Sequence, residues 1–153
     1  MTTFSPASPQ DVEAIAELLA EMDRFYGDDD DREPHDERIR QINEALFGDP
    51  PAAYALLARD GATLAGIATY SLLWPAIGLT RSLYLKELYV ADRYRNQGIG
   101  RRLMGQLIQT AEKAGCTRVE WTTDTDNPGA QDFYDELGLS PHESKIFYRY
   151  TVD

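Results

Sequence analysis

The chain has 153 residues, 42% of them hydrophobic, and its 15 basic and 26 acidic side chains leave a net charge of −11. That length predicts one domain, residues 1–153, able to bury roughly two thirds of its unfolded surface. So acidic a surface repels phosphate backbones, and no apolar run approaches the ~18 residues that cross a bilayer, so neither a nucleic-acid nor a membrane partner is expected.

The opening MTTFSPASPQD has no basic region followed by an apolar one and does not read as a signal peptide. The single cysteine, Cys116, excludes an internal disulfide and reads as a small buried residue, so a cytoplasmic protein is expected. The charge is uneven: residues 1–50 hold 14 acids and 4 bases, residues 51–153 hold 12 and 11. The acidic half attracts cations such as polyamines or basic antibiotics, and it equally serves solubility.

In chain order, a strand is predicted over Thr2–Ser5. Ser8 then caps a helix, with Pro9 at its first position and Asp11 three residues after the cap. Ile15, Leu18, Leu19 and Met22 share its apolar face, extended by Phe25 and Tyr26, and Gly27 follows its end. After the acidic run GDDDDREPHDE at 27–37, a second helix fits Asp36–Leu46, with Ile39, Ile42, Leu46 and Phe47 turned inward. Tyr54–Arg59 and Thr63–Leu73 read as a hairpin joined at Asp60-Gly61-Ala62. A loop, Pro75–Thr80, precedes the strand Leu83–Val90. A helix fits Gly98–Ala114, closed by Gly115, and Thr117–Thr123 is the next strand. A short helix, Pro128–Leu137, stops at Gly138, and Ile146–Val152 is read as a last strand. The order is mixed α/β, with helices crossing between strands in the second half.

Three features carry chemistry. The stretch RYRNQGIGRR, Arg93–Arg102, puts four arginines and two glycines between a strand and a helix with no acid among them. Backbone N–H groups at a helix start lack internal partners, the helix dipole is positive there, and glycine lets the backbone come close to a ligand. That combination suits a diphosphate. A dinucleotide fingerprint would need glycine where Leu103 stands, and no Gly-Lys-Ser/Thr P-loop is present. A tight turn with a solvated basic face is the other reading. Second, Lys86 and Glu87 interrupt an apolar strand. Lys86 reads as a side chain reaching for water, and Glu87 as either half of a salt bridge or a general base in a cleft. Third, in NPGAQDFYDELG, Asn127 and Pro128 form a cap and first turn, while Tyr134 falls on the stripe of Ala130, Phe133 and Leu137 and reads by spacing as core.

Together, LYLKELYVADRYRNQGIG and NPGAQDFYDELG resemble the GNAT superfamily of acetyl-CoA-dependent N-acetyltransferases. Arg95-Asn96-Gln97-Gly98-Ile99-Gly100 matches its Gln/Arg-x-x-Gly-x-Gly/Ala pattern. The resemblance is strong over residues 54–139 and topological over the first 50. Within the superfamily it is nearest to the diamine (spermidine/spermine-type) acetyltransferases, although these carry an acid where this chain has Lys86. The resemblance implies a mixed, mostly antiparallel sheet of six or seven strands flanked by about four helices, with the strand of Leu88 and Val90 splayed from Thr117–Thr123. It further implies that acetyl-CoA lies in the splay along Leu88, Tyr89 and Val90. Its diphosphate would be held by the turn of Arg95, Asn96, Gln97, Gly98, Ile99, Gly100 and Arg101, with Asn127 on its arm.

By the same resemblance Glu87 is the base that takes the acceptor's proton and Tyr134, near the sulfur, the acid that protonates the leaving thiolate. Tyr26 and Asp28 are candidate contacts for a small cationic amine such as a polyamine, an amino acid-like amine or an aminoglycoside-like antibiotic. A homodimer is expected, with the alternating segment IFYRYTV at 146–152 as an edge able to pair with a second copy. No metal-spaced His pair and no Gly-x-Ser-x-Gly elbow is present, so no metal and no hydrolase chemistry is expected, and His35 and His142 read as surface residues. Two other readings stay open: a protein or peptide N-acetyltransferase, and a non-catalytic acyl-CoA sensor.

Overall fold

The computed structural model describes residues 1–27 and 33–153 and divides the chain into two units, Met1–Trp121 and Thr122–Asp153. In the first, β1 (Thr2–Pro6), β2 (Tyr54–Asp60), β3 (Thr63–Leu73), β4 (Arg81–Val90) and β5 (Cys116–Glu120) form one sheet in that order. The first four are antiparallel neighbours, and β5 lies parallel to β4. A parallel neighbour cannot be reached by a hairpin, and α3 (Ile99–Lys113) supplies the crossover. α1 (Val12–Phe25) and α2 (His35–Phe47) fill the interval between β1 and β2.

The corner between β1 and α1 is built as the Ser-x-x-Asp spacing predicts. Ser8 and Asp11 form a reciprocal cap on a 3-10 turn, Pro9–Asp11, and the Ser8 N–H donates to Asp11 Oδ2 at 2.8 Å. Arg59 on β2 then donates from Nη1 and Nη2 to the two Asp11 oxygens, each at 2.7 Å, and from Nε to Ser5 Oγ at 2.8 Å. A planar guanidinium meeting a carboxylate edge-on fixes direction as well as distance, so this one pair joins β1, β2 and the start of α1.

Two helices cover opposite faces of the sheet. α1 buries Val12, Ile15, Ala16, Leu18 and Met22, and α3 buries Ile99, Leu103, Met104, Leu107 and Ala111. A Cβ on Gly66 of β3 would lie 3.1 Å from Leu103 Cδ1, which places that side of the sheet under α3 and explains the glycine. Tyr89 reaches Glu21 of α1 from the other side. Each fully buried aliphatic side chain, such as Leu57, Ile67, Leu103 or Leu107, contributes about 2 kcal/mol. α2 is a thinner cover: its apolar residues are half-buried, and the Arg38–Asp23 ion pair at 3.0 Å helps hold it to α1.

In the second unit α4 (Pro128–Glu136) forms as expected. The last strand does not. Residues 146–152 have no strand pairing among the described residues, and Ile146, Phe147, Tyr148, Tyr150 and Val152 are exposed. The alternation was read correctly, but a strand exists only where a neighbouring backbone accepts its hydrogen bonds. The sheet therefore has five strands among the described residues, not six or seven. Cys116 is half-buried at the start of β5 rather than buried, and His35 is exposed, 3.8 Å from Glu13.

The Arg59 hydrogen bonds, opposed by a smaller effect of burial and helped by the Ser8 N–H, hold the Asp11 carboxyl well below the usual carboxylate range. A carboxyl depressed in the fold adds stability above its unfolded value near ~4, and that stability is lost as pH falls through the folded value. Asp11→Asn should therefore cost about 2 kcal/mol at pH 7, with the deficit narrowing from about pH 4 downwards. Urea titrations of both proteins at pH 7 and pH 3 check this.

Candidate active site

β4 is hydrogen-bonded to β3 from Ser82 to Val90, but to β5 only from Arg81 to Tyr84. From Leu85 to Val90 the edge of β4 turned away from β3 has no strand partner among the described residues. Ser82 Oγ, donating to Glu120 Oε1 at 2.6 Å, ties the two strands over their last paired residues. A free strand edge inside a sheet offers N–H and C=O groups to an extended ligand.

Within that free stretch β4 carries one extra residue. Tyr70 faces Leu85 and Thr69 faces Glu87, so Lys86 has no partner and forms a bulge. Side chains alternate with a period of two, so one inserted residue reverses every direction after it. Leu83 and Leu85 lie on the α3 face. A regular strand would put Glu87 beside them, among the apolar side chains of α3. With the bulge, Leu88 and Val90 take the α3 face, and Glu87 joins Tyr89 on the α1 face. Lys86 is exposed, so its charge needs no buried partner, and Glu87 is half-buried.

Tyr89 is 3% exposed and donates from its hydroxyl to Glu21 Oε2 at 2.5 Å. Burial first, and then Glu21, push the phenol up to about 12, so it stays protonated at physiological pH. The same Glu21 oxygen accepts the Asp92 N–H at 3.2 Å. One carboxylate of α1 thus holds both the end of β4 and the 3-10 turn Asp92–Tyr94 that follows it.

After that turn the backbone enters the left-handed region at Asn96 (φ 61°) and Gly98 (φ 78°), and α3 starts at Ile99. The helix start has no side-chain cap and no acid in its first turn. Most helices use Ser, Thr or Asp there; leaving the N–H groups and the positive dipole end without an internal acceptor suits an anion. A Cβ on Gly98 would meet nothing within 4 Å among the described residues, which leave the space in front of the turn open.

The four arginines of the stretch are not equivalent. Arg93 lies over the Tyr94 ring at 5.0 Å, and Tyr94 donates to Asp60 Oδ2 at 2.8 Å. Arg95 lies over Phe25 at 4.3 Å and Tyr89 at 5.3 Å, and its Nε donates to the Val90 carbonyl at 3.2 Å. Arg102 stacks on Phe4 at 4.7 Å and donates to the Thr2 carbonyl. Arg101 alone of the four has no such partner among the described residues, and it is exposed at the positive end of α3. The sequence counts four cations toward one anion; three of them are held by the protein's own rings and carbonyls.

The remaining expected site residues fall elsewhere. Tyr26, at the end of α1, is half-exposed and meets the Phe25 ring edge-on at 5.1 Å. Asp28 lies outside the described residues. In the second unit Asn127 caps α4, its Oδ1 accepting the Ala130 N–H at 3.1 Å, and Tyr134 is half-buried with its ring edge-on to Phe133 at 5.1 Å. The sequence reading missed Glu21 as a neighbour of the site and took Phe25 only for apolar packing. Their spacing of four on one helix could have paired them, but no local signal names β4 and Arg95 as their targets.

A splayed β4, a bulge at its acid and an uncapped glycine turn are now joined by comparison with known proteins. A family model described as Acetyltransferase (GNAT) family matches residues 13–139. The chain belongs to the GNAT family of acetyltransferases. As a GNAT protein it is an enzyme, and the family draws its acetyl group from acetyl-CoA. It is 30% identical over 122 residues to an aminoglycoside N(6')-acetyltransferase type 1 of Serratia marcescens, covering 78% of this chain and 82% of that one. It is 25% identical to a thialysine N-epsilon-acetyltransferase of Mus musculus, covering 97% of this chain and 92% of that one. An integron cassette protein from the mobile metagenome of V. cholerae superposes with a TM-score of 0.90 at 26% identity, over 99% of this chain and 93% of that one.

The GNAT turn yields a test. Gly98→Ala should cost about 1 kcal/mol of stability, because only the positive φ is strained and the Cβ meets no protein atom. If a ligand approaches that open space, the same substitution weakens coenzyme A binding beyond the loss in stability. Thermal unfolding and calorimetric titration with coenzyme A, run on one preparation, separate the two effects.

Proposed function

We propose that residues 1–153 act as one N-acetyltransferase domain that moves the acetyl group of acetyl-CoA to a primary amine of a small cationic acceptor. The observation that carries this reading is the edge of β4 from Leu85 to Val90, which has no strand partner among the described residues and is followed, after the Asp92–Tyr94 turn, by the uncapped start of α3. An extended thioester arm suits the first, and a diphosphate suits the second.

The donor supplies an acetyl group already activated as a thioester. The N–H of Leu88 is assigned to its carbonyl, the backbone of Tyr89 and Val90 to the arm, and the backbone from Asn96 to Arg101 to the diphosphate, with the Arg101 side chain as its cation. Asn127, whose amide nitrogen is not used by its capping bond, is assigned to the arm. A primary amine near pKa ~10 is mostly ammonium at neutral pH and cannot attack until it loses a proton. Glu87, turned by the bulge to the α1 face, is the group that takes it. The Leu88 N–H stabilises the negative charge that develops on the carbonyl oxygen. Tyr134 returns a proton to the sulfur as it leaves.

A cationic acceptor is favoured by the net charge of −10 over residues 1–50, a stretch that includes α1 on the sheet face to which Glu87 is turned, and by Tyr26 at the end of α1. Asp28 is assigned to the same acceptor. Relatives named for aminoglycoside and thialysine acetylation point to the same class, and a diamine is the further member suggested by the β4 sequence. The exposed apolar side chains of residues 146–152 support a homodimer in which this segment finds a strand partner. A cytoplasmic site is assigned on the lone cysteine, and no described helix is long and apolar enough to cross a membrane.

A thiol-release assay across polyamines, aminoglycosides, amino acid-like amines and basic peptides tests the reading. Turnover confined to the small amines is expected; turnover on peptides alone would move the assignment to a protein acetyltransferase. Tight coenzyme A binding with no turnover on any amine would leave a sensor.

Glu87→Gln should lower kcat about a hundredfold at pH 7 with coenzyme A affinity unchanged. Tyr134→Phe should likewise lower kcat with little change in that affinity. Either variant turning over like the wild type removes that residue from the mechanism.

A further inference from the structure

Arg95 opens the glycine turn, yet its side chain points its resources away from any anion. Its guanidinium sits over two rings from different elements, Phe25 at the end of α1 and Tyr89 at the end of β4. Its Nε closes the 90–95 loop on the Val90 carbonyl, and Asp92 is 3.9 Å from Nη1. The two rings approach each other with centroids 6.2 Å apart, and Phe25 in turn carries Tyr26 edge-on. From the other side, Glu21, one helical turn before Phe25, holds Tyr89 and the Asp92 N–H. A continuous set of contacts therefore runs from Tyr26 through Phe25 and Arg95 to the turn at Asn96–Gly98.

Phe25 is 57% exposed, and its placement is the informative feature. A phenylalanine at a helix end would gain more from the apolar core than from a half-solvated position. Over the face of a guanidinium it gains a cation–π contact instead. An arginine placed against two rings and hydrogen-bonded through Nε to the Val90 carbonyl is held by three contacts at once, which a lysine, with no Nε–H fork, could not reproduce.

Resting on the proposed function, we infer that Arg95 is a positioning residue: it clasps the acceptor end of α1 to the diphosphate turn, so that the acceptor and acetyl-CoA sites are coupled. A side chain that merely adds positive charge for the diphosphate would act independently of Phe25. A clasp would not, because either partner's loss releases the same contact.

The test is a double-mutant cycle read by calorimetric titration with coenzyme A, together with the acceptor KM for whichever amine the wild type turns over. Phe25→Leu keeps the residue apolar and removes the ring; Arg95→Met keeps the stem and removes the charge. Each is expected to weaken coenzyme A about fivefold, within the range that a partly desolvated cation–π contact can supply, and to raise acceptor KM alongside. The double variant should be no weaker than the worse single, whereas Phe25→Leu combined with Arg101→Met should multiply. Phe25→Trp, which restores an aromatic face, should bind coenzyme A like the wild type.

Phe25→Leu binding coenzyme A and acceptor normally, or Phe25→Leu and Arg95→Met multiplying their losses, overturns the clasp while leaving the acetyltransferase reading intact. No heat from coenzyme A with the wild type overturns that reading and the clasp together. The exposure of Phe25 keeps folding from deciding the outcome, and matched thermal midpoints for all variants verify it.

Discussion

β4 is paired with β3 from Ser82 to Val90, apart from the bulged Lys86, and with β5 only from Arg81 to Tyr84. The separation of β4 from β5 beyond Tyr84 is the constraint on which the rest of the site depends. Backbone groups of a buried strand must find partners, and beyond Tyr84 the edge of β4 turned away from β3 has no strand partner among the described residues, although its Val90 carbonyl accepts from Arg95 Nε. The neighbouring elements make that arrangement stable. α3 packs across the sheet on Leu103 and Leu107, and the Ser82–Glu120 hydrogen bond clamps the strands over their last paired residues. The edge can then stay free without the sheet opening further.

The bulge at Lys86 gives the same strand two faces with different duties. Before it, Leu83 and Leu85 are buried in the core beneath α3; after it, the half-buried Leu88 and Val90 lie on that face and Glu87 is turned to the face of α1. One inserted residue thus moves a carboxylate out of an apolar layer, where its charge would be costly, without interrupting the β3–β4 ladder beyond a single position. Tyr89, sent to the same face, is held as a neutral phenol by burial and by Glu21. The face presented to α1 is therefore polar through one acid and braced through one phenol.

Much of this was legible in the sequence. The cap at Ser8, the α1 and α3 stripes and the hairpin around Gly61 follow local rules of periodicity and turn chemistry, and they formed within a residue or two of expectation. The glycine turn was legible because a positive φ and an uncapped helix start leave marks in the sequence itself. The bulge was not: an extra residue is defined by its partner strand, and nothing in LYLKELYV distinguishes Lys86 from a charged residue in an unbroken strand. The last strand failed for a related reason. Its alternation satisfies the rule for one face, but a strand also needs a second backbone, which sequence patterning does not supply. Asp28, read from the sequence as a contact for a cationic acceptor, lies outside the described residues.

The arginines carry the same lesson into energetics. Counting cations near a helix start predicts an anion site strengthened by four charges, but a guanidinium is also the side chain best suited to lie flat on an aromatic ring. Here Arg93, Arg95 and Arg102 each take a ring, and the rings belong to the 3-10 turn, to α1 and β4, and to β1. Arg95 and Arg102 thereby fasten the segment to α1, β4 and β1, while Arg93 braces Tyr94 within the 3-10 turn. That rigidity matters more to an anion than extra charge would: backbone N–H groups bind a diphosphate only when they converge, and they converge only if the loop that bears them does not have to be ordered at the moment of binding. Fixed positive charge around a fixed glycine turn leaves Arg101, the one arginine of the stretch without a partner among the described residues, to add its charge at the end of α3 where the dipole already points.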